Sequence, residues 1–111
     1  MILSSADIFA SDDLPIKQVT VEAWGGDVYV KALSTGELNV VSKHTADVGE
    51  LAGMCLVVAF GLCDEEGNRL IDAPAKNAHK LESKNVNTIK MLADEIIKIS
   101  GLLDIEQAKN S

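Results

Sequence analysis

A chain of 111 residues that is 47% hydrophobic but only 4% aromatic specifies one domain with an aliphatic core. Its net charge of −7 argues against a nucleic-acid partner and against an anionic membrane surface, because both need clustered Lys and Arg. The longest uncharged run, Leu51 to Cys63, is shorter than the ~20 residues of a membrane span, and no signal-peptide pattern opens the chain.

The charge is unevenly spread. Residues 1–72 carry 4 basic and 12 acidic side chains, and residues 73–111 carry 6 basic and 5 acidic. The ordinary reading is a soluble surface; the sharper one is an electrostatically favourable head-to-tail contact between copies. Cys55 and Cys63 lie inside the apolar run and read as reduced thiols of a cytoplasmic protein rather than as a disulfide framework.

In chain order, Ser4 or Ser5 caps a short helix, which Asp12-Asp13-Leu14-Pro15 ends, because Pro15 pushes Leu14 out of helical space. Val19 and Val21 then alternate with Thr20 and Glu22, as Val28 and Val30 do with Tyr29 and Lys31. This period of two predicts strands at about 17–24 and 27–33, joined through Gly25-Gly26 as a positive-φ hairpin turn. Trp24, at the turn, either seals the core or lies at a subunit contact.

Ser34 and Glu37 form a capping box that opens a helix over about 35–47, with Leu38, Val41 and Val48 facing inward. Residues 49–63 are apolar on every face, so periodicity does not separate helix from strand; a helix over the first half with a strand-like exit is favoured. Asp64 to Asn68 is a turn, and Arg69 to Ile71 a short strand. Asp72 caps a helix with Pro74 in its first turn, ending near Ser83. Asn85 or Asn87 caps the last helix, which Gly101 stops.

Two features of this C-terminal part are candidates for an interaction or oligomer surface, with Trp24 a third. Ile89, Leu92, Ile96 and Ile99 are spaced along one helical face; they pack on the hairpin or form a subunit seam. Lys76, Lys80 and Lys84 recur every four residues and would align on a helix as a solvated face or a docking stripe.

Catalytic and metal readings are set aside. His44 and His79 lack a paired nucleophile or acid, the two cysteines lack a zinc spacing, and Asp64 to Asn68 lacks the ligand pattern of a calcium loop. No cofactor is expected. The expected fold class is α+β, a single small domain whose N-terminal β-hairpin packs against several α-helices, with residues 1–101 as core and 102–111 as a tail.

The order of these motifs resembles that of the tail assembly chaperones of long, non-contractile-tailed bacteriophages. The resemblance rests on the short helix Ala6 to Ala10 and its acidic stop at Asp12 to Pro15, then on the Val-rich hairpin around Trp24-Gly25-Gly26. It continues through Leu33-Ser34 with Glu37, the turn Asp64 to Asn68, Ile99 to Leu102, and Lys109-Asn110. Glu22-Ala23 stands where the family pattern has Pro-Glu. The resemblance implies a protein that works in the host cytoplasm and is absent from the mature virion. It also implies that the chain coats the tape measure protein, recruits tail tube protein and associates with itself. A second, longer product made by a −1 ribosomal slip is implied as well. Ala108-Lys109-Asn110 is compatible with GCA-AAA-AAC codons, which contain a slippery heptamer, as are Ala75-Lys76-Asn77. The slip is expected at 109–110. The alternatives are a structural tail component, such as a tube or completion protein, and a small non-enzymatic regulatory module.

Overall fold

The computed structural model of the chain describes residues 1–101. It is an α+β fold in which a three-stranded antiparallel sheet, order β1-β2-β3, packs with helices. β1 (Ile16–Val21) pairs with β2 (Gly26–Lys31), with Val19 opposite Val28 and Val21 opposite Gly26. Directly opposed residues share a face. Val19, Val21, Val28 and Val30 therefore form one side, and Gln18, Thr20, Asp27 and Tyr29 the other. The valine side meets the core, where Val21 and Val30 are fully buried.

The hairpin connection is longer than a two-residue turn. Glu22–Trp24 make one 3₁₀ turn, and Gly25 closes it in the left-handed region (φ 73°, ψ 24°), donating its N–H to the Glu22 carbonyl at 3.0 Å. Only Gly25 needs the glycine freedom, since Gly26 is already strand.

α1 (Ser5–Ala10) precedes the hairpin, with Ser4 and Asp7 forming a capping box; none of its residues is buried. α2 (Thr35–Val48) begins at the expected capping box. The Glu37 N–H donates to Ser34 Oγ at 3.2 Å, and the Ser34 N–H to Glu37 Oε1 at 2.8 Å. Val41 is buried, but Val48, expected inward, is exposed. Gly49 ends α2 and also caps α3 (Glu50–Gly61), at φ 117° and ψ 167°, a conformation essentially closed to residues with a Cβ. One glycine thus turns the chain between two helices.

The ambiguous apolar run is helix almost to its end. Only Leu62–Cys63 is strand (β3), with Tyr29 opposite Cys63 and Val30 opposite Leu62. α3 is apolar all round because it is the central element, packed by neighbours on several sides and burying Cys55, Leu56, Val57, Val58 and Ala59 in succession.

Two further expectations are corrected beyond β3. Arg69 to Ile71 is not a strand; Arg69 makes an isolated bridge with Cys63. The side chain of this residue, the only arginine, has another task. Its guanidinium donates to the Phe60 carbonyl, pairs with Glu37, and lies 5.3 Å from the Phe60 ring centroid. It joins the start of α2 to the end of α3, and burial lowers its pKa. Asp72 is not a helix cap. That position is Ala73, at φ 44°, whose carbonyl accepts from the N–H groups of Lys76 and Asn77. α4 (Pro74–Asn77) is a single turn, continued by a 3₁₀ segment, Ala78–Ser83.

The Asp64 turn forms as expected. Asp64 Oδ1 accepts from the N–H groups of Glu66 and Asn68, both at 2.9 Å. α5 (Val86–Ile99) starts at Asn85, whose side chain accepts from the Asn87 N–H at 2.8 Å, and Gly101 follows its end at φ 96°. α5 packs on α3 and on the sheet. Its last turn is tied to the chain after β2, where the Leu33 N–H donates to Ser100 Oγ at 2.9 Å. Lys17 Nζ on β1 meets Glu95 Oε2 on α5 at 2.5 Å. The tail 102–111, with Lys109 and Asn110, lies outside the described residues.

Candidate interaction surface

The structure divides the residues singled out in the sequence. Ile89, Leu92 and Ile96 belong to the chain's own core, Leu92 and Ile96 at 0% exposure. They are therefore not a subunit seam: the face of α5 that carries them is already covered by α3 and the sheet. Ile99 is half-buried against the same core. Trp24 is 37% exposed at the hairpin tip and lies outside the core cluster, so it does not seal the core.

Lys76, Lys80 and Lys84 are exposed but do not form one stripe. The α-helical turn stops at Asn77, and a 3₁₀ segment advances about 120° per residue. Lys84 then lies in extended backbone (φ −90°, ψ 160°). A four-residue spacing aligns side chains only while the period stays near 3.6.

What the structure reveals in place of a lysine stripe is an apolar groove. Leu51 and Met54 of α3, Leu81 of the 3₁₀ segment, and Val86 and Ile89 of α5 line a cavity of about 230 Å³ with Lys84 at its edge. Leu51 is 62% exposed, and Val86 is also open to solvent. A second cleft of about 160 Å³, bordered by His44, Val48, Ala52 and His79, shares Cys55 and Glu82 with the first. Together they run along the outer side of the first half of α3. Cys55 at the groove floor is a buried thiol whose pKa is raised by desolvation, as is that of Cys63. Both are correspondingly poor nucleophiles at neutral pH.

A second exposed apolar set lies on α1. Ile8 is exposed and Phe9 is 87% exposed, with Ile2 and Leu3 exposed just before them. None of the α1 residues is buried or part of the core cluster, although Phe9 borders a cleft that it shares with Leu14, Leu33, Leu38 and Ile99. Both features were missed in the sequence. In the sequence, Leu51 counts with the buried apolar run, Val86 falls in no assigned pattern, and the residues before Asp12 serve for helix limits only.

The chemistry this surface offers is apolar contact with a charged rim. Among the described residues, no helix is long and apolar enough to cross a membrane. No protein-family model, curated protein or solved structure matches the chain.

Proposed function

We propose that this chain is a tail assembly chaperone of a long, non-contractile-tailed bacteriophage. It acts in the host cytoplasm as a binding protein rather than an enzyme, coats the tape measure protein, helps recruit tail tube subunits, and leaves before the virion is complete. The observation that carries this reading is apolar surface left over once the core is closed: the groove along α3 and the exposed residues of α1. Contiguous exposed apolar surface on a small soluble domain marks an interaction site. The motif order from the Ala6 to Ala10 helix through the Trp24 hairpin to the Asp64 turn supplies the particular assembly.

The physical task suits the surface. A tape measure protein presents long apolar helical stripes before a tube surrounds it. The cavity of about 230 Å³ is smaller than the ~300–1,000 Å³ of small-molecule pockets and accepts protruding side chains from such a stripe. Each contact is weak, and repetition along an extended partner raises the total affinity. The net charge of −7 keeps the coated assembly soluble. The longer product belongs to the same proposal, and the gene is expected to read GCA-AAA-AAC at Ala108-Lys109-Asn110; AAG at Lys109 would remove it.

The test is co-expression with the tape measure protein, expected as a long coiled-coil-rich reading frame downstream. A soluble complex is expected where the tape measure protein alone precipitates. Presence of the chain in purified virions at the copy number of a tube subunit would instead favour a structural tail component.

A further inference from the structure

The two exposed apolar features have complementary charge. Residues 1–16 contain three aspartates (Asp7, Asp12, Asp13) and no Lys or Arg. Residues 73–90, which form one wall of the α3 groove, contain four lysines (Lys76, Lys80, Lys84, Lys90) and a single glutamate, Glu82. All four lysines are exposed, and none makes an ion pair with another described residue. The acidic segment carries two exposed apolar residues, Ile8 and Phe9. The basic segment borders the apolar groove, whose charged lining among the described residues is Lys84 and Glu82.

We propose that α1 of one copy docks in the α3 groove of the next. Phe9 and Ile8 enter between Leu51, Leu81 and Val86, while Asp7 and Asp13 face Lys80 and Lys84. Apolar burial supplies the affinity, and the opposed charges set direction and encounter rate. Knob and groove are different surfaces of the same chain, so the contact is heterologous. Its repetition gives rings if the rotation closes and open stacks if it does not. The inference goes beyond the proposed function but uses the same surfaces, so a neighbouring copy and the tape measure protein would compete for the groove; the contact itself needs no tape measure protein.

The experiment uses the full chain and two sets of substitutions, one on each side. Ile8→Ser with Phe9→Ser removes the knob, and Leu51→Glu blocks the groove. All three residues are exposed, so both variants are expected to keep the wild-type circular dichroism and urea midpoint. By size-exclusion chromatography with light scattering, the wild-type mass should rise with concentration and fall with added salt. Each variant should remain at the single-chain mass of 11.8 kDa. The decisive sample is the mixture. The knobless variant keeps its groove and the grooveless variant keeps its knob, so mixing them should give a 1:1 dimer and nothing larger. A mixture that stays monomeric, variants that retain wild-type assembly, or a wild-type chain that is monomeric at several hundred micromolar would each overturn the proposal. None of these outcomes involves the tape measure protein, so the contact between copies is judged without it.

Discussion

Replacing Gly61 with Ala tests how closely α3 and α5 approach. A Cβ at Gly61 would lie 2.3, 2.8 and 3.1 Å from Cδ1, Cγ1 and Cγ2 of Ile96. Ordinary carbon contacts are ~3.5–4.0 Å, so the helices or the Ile96 side chain must give by roughly 1 Å. Ile96 is fully buried, so its side chain cannot swing out into solvent. Overpacking of this kind costs about 1–3 kcal/mol. Against it stands the better helix propensity of Ala, at most ~1 kcal/mol and less at the last residue of the helix. The net expectation is a loss of about 1–2 kcal/mol. With a urea m-value of ~1–3 kcal/mol/M, the midpoint falls by about 0.5–1 M at unchanged m. Ile96→Val removes the nearest atom, Cδ1. Alone it costs about 0.5–1.5 kcal/mol, but combined with Gly61→Ala it should relieve the clash, giving a favourable coupling of at least ~0.5 kcal/mol. Urea unfolding of the four proteins at low micromolar concentration measures the cycle. A Gly61→Ala midpoint equal to or above wild type, or strict additivity, would refute the close approach.

Three further outcomes follow from backbone and charge. Gly49→Ala forces a Cβ into the conformation that turns α2 into α3, and should lose about 1–3 kcal/mol in the same urea assay. Ala73→Gly should gain about 0.5–1 kcal/mol, because the left-handed penalty of Ala at φ 44° outweighs the extra chain entropy of Gly. Acid should weaken the fold in a defined direction. The Asn68 backbone N–H holds the Asp64 carboxyl below its ordinary 3.8, that of Ser4 does so for Asp7, and the Lys17 ammonium holds Glu95 below 4.5. Groups with a lowered folded-state pKa contribute stability above their ordinary values and lose it as pH falls through the folded value. The urea midpoint should therefore be flat from pH 7 to about 5 and decline below about 4.5; Asp64→Ala should make that decline shallower.

The parts of the fold that were legible in the sequence were those set by local chemistry. The valine alternation gave the hairpin, Ser34 and Glu37 gave the start of α2, and Gly101 with Asn85, one of two candidate caps, bounded α5. These signals depend on neighbours a few residues away. The extent of α3 was not legible, because a helix buried on every side carries no period, and the decision came from packing against α2 and α5. Arg69 was misplaced because a strand-like triplet says nothing of a guanidinium needed at the Phe60 carbonyl and Glu37. The lysine spacing misled because it presumed one helix where an α-turn gives way to 3₁₀. The α5 residues were recognised correctly as an apolar face, yet only the fold could decide that the chain covers that face itself. The groove was invisible for a related reason. Leu51 and Leu56 look alike in sequence, but one is open to solvent and the other closed.

The most direct test of the central claim is binding to the tape measure protein. Tagged tape measure protein should be co-expressed with the wild-type chain and with a groove-blocked variant, Leu51→Glu combined with Val48→Glu. Both substituted residues are exposed, so folding is preserved while the α3 surface is made polar. Wild type should keep the tape measure protein soluble and co-purify in many copies per partner, and the variant should leave it in the pellet. A tape measure protein that precipitates equally with both, or stays soluble without either, would contradict the account.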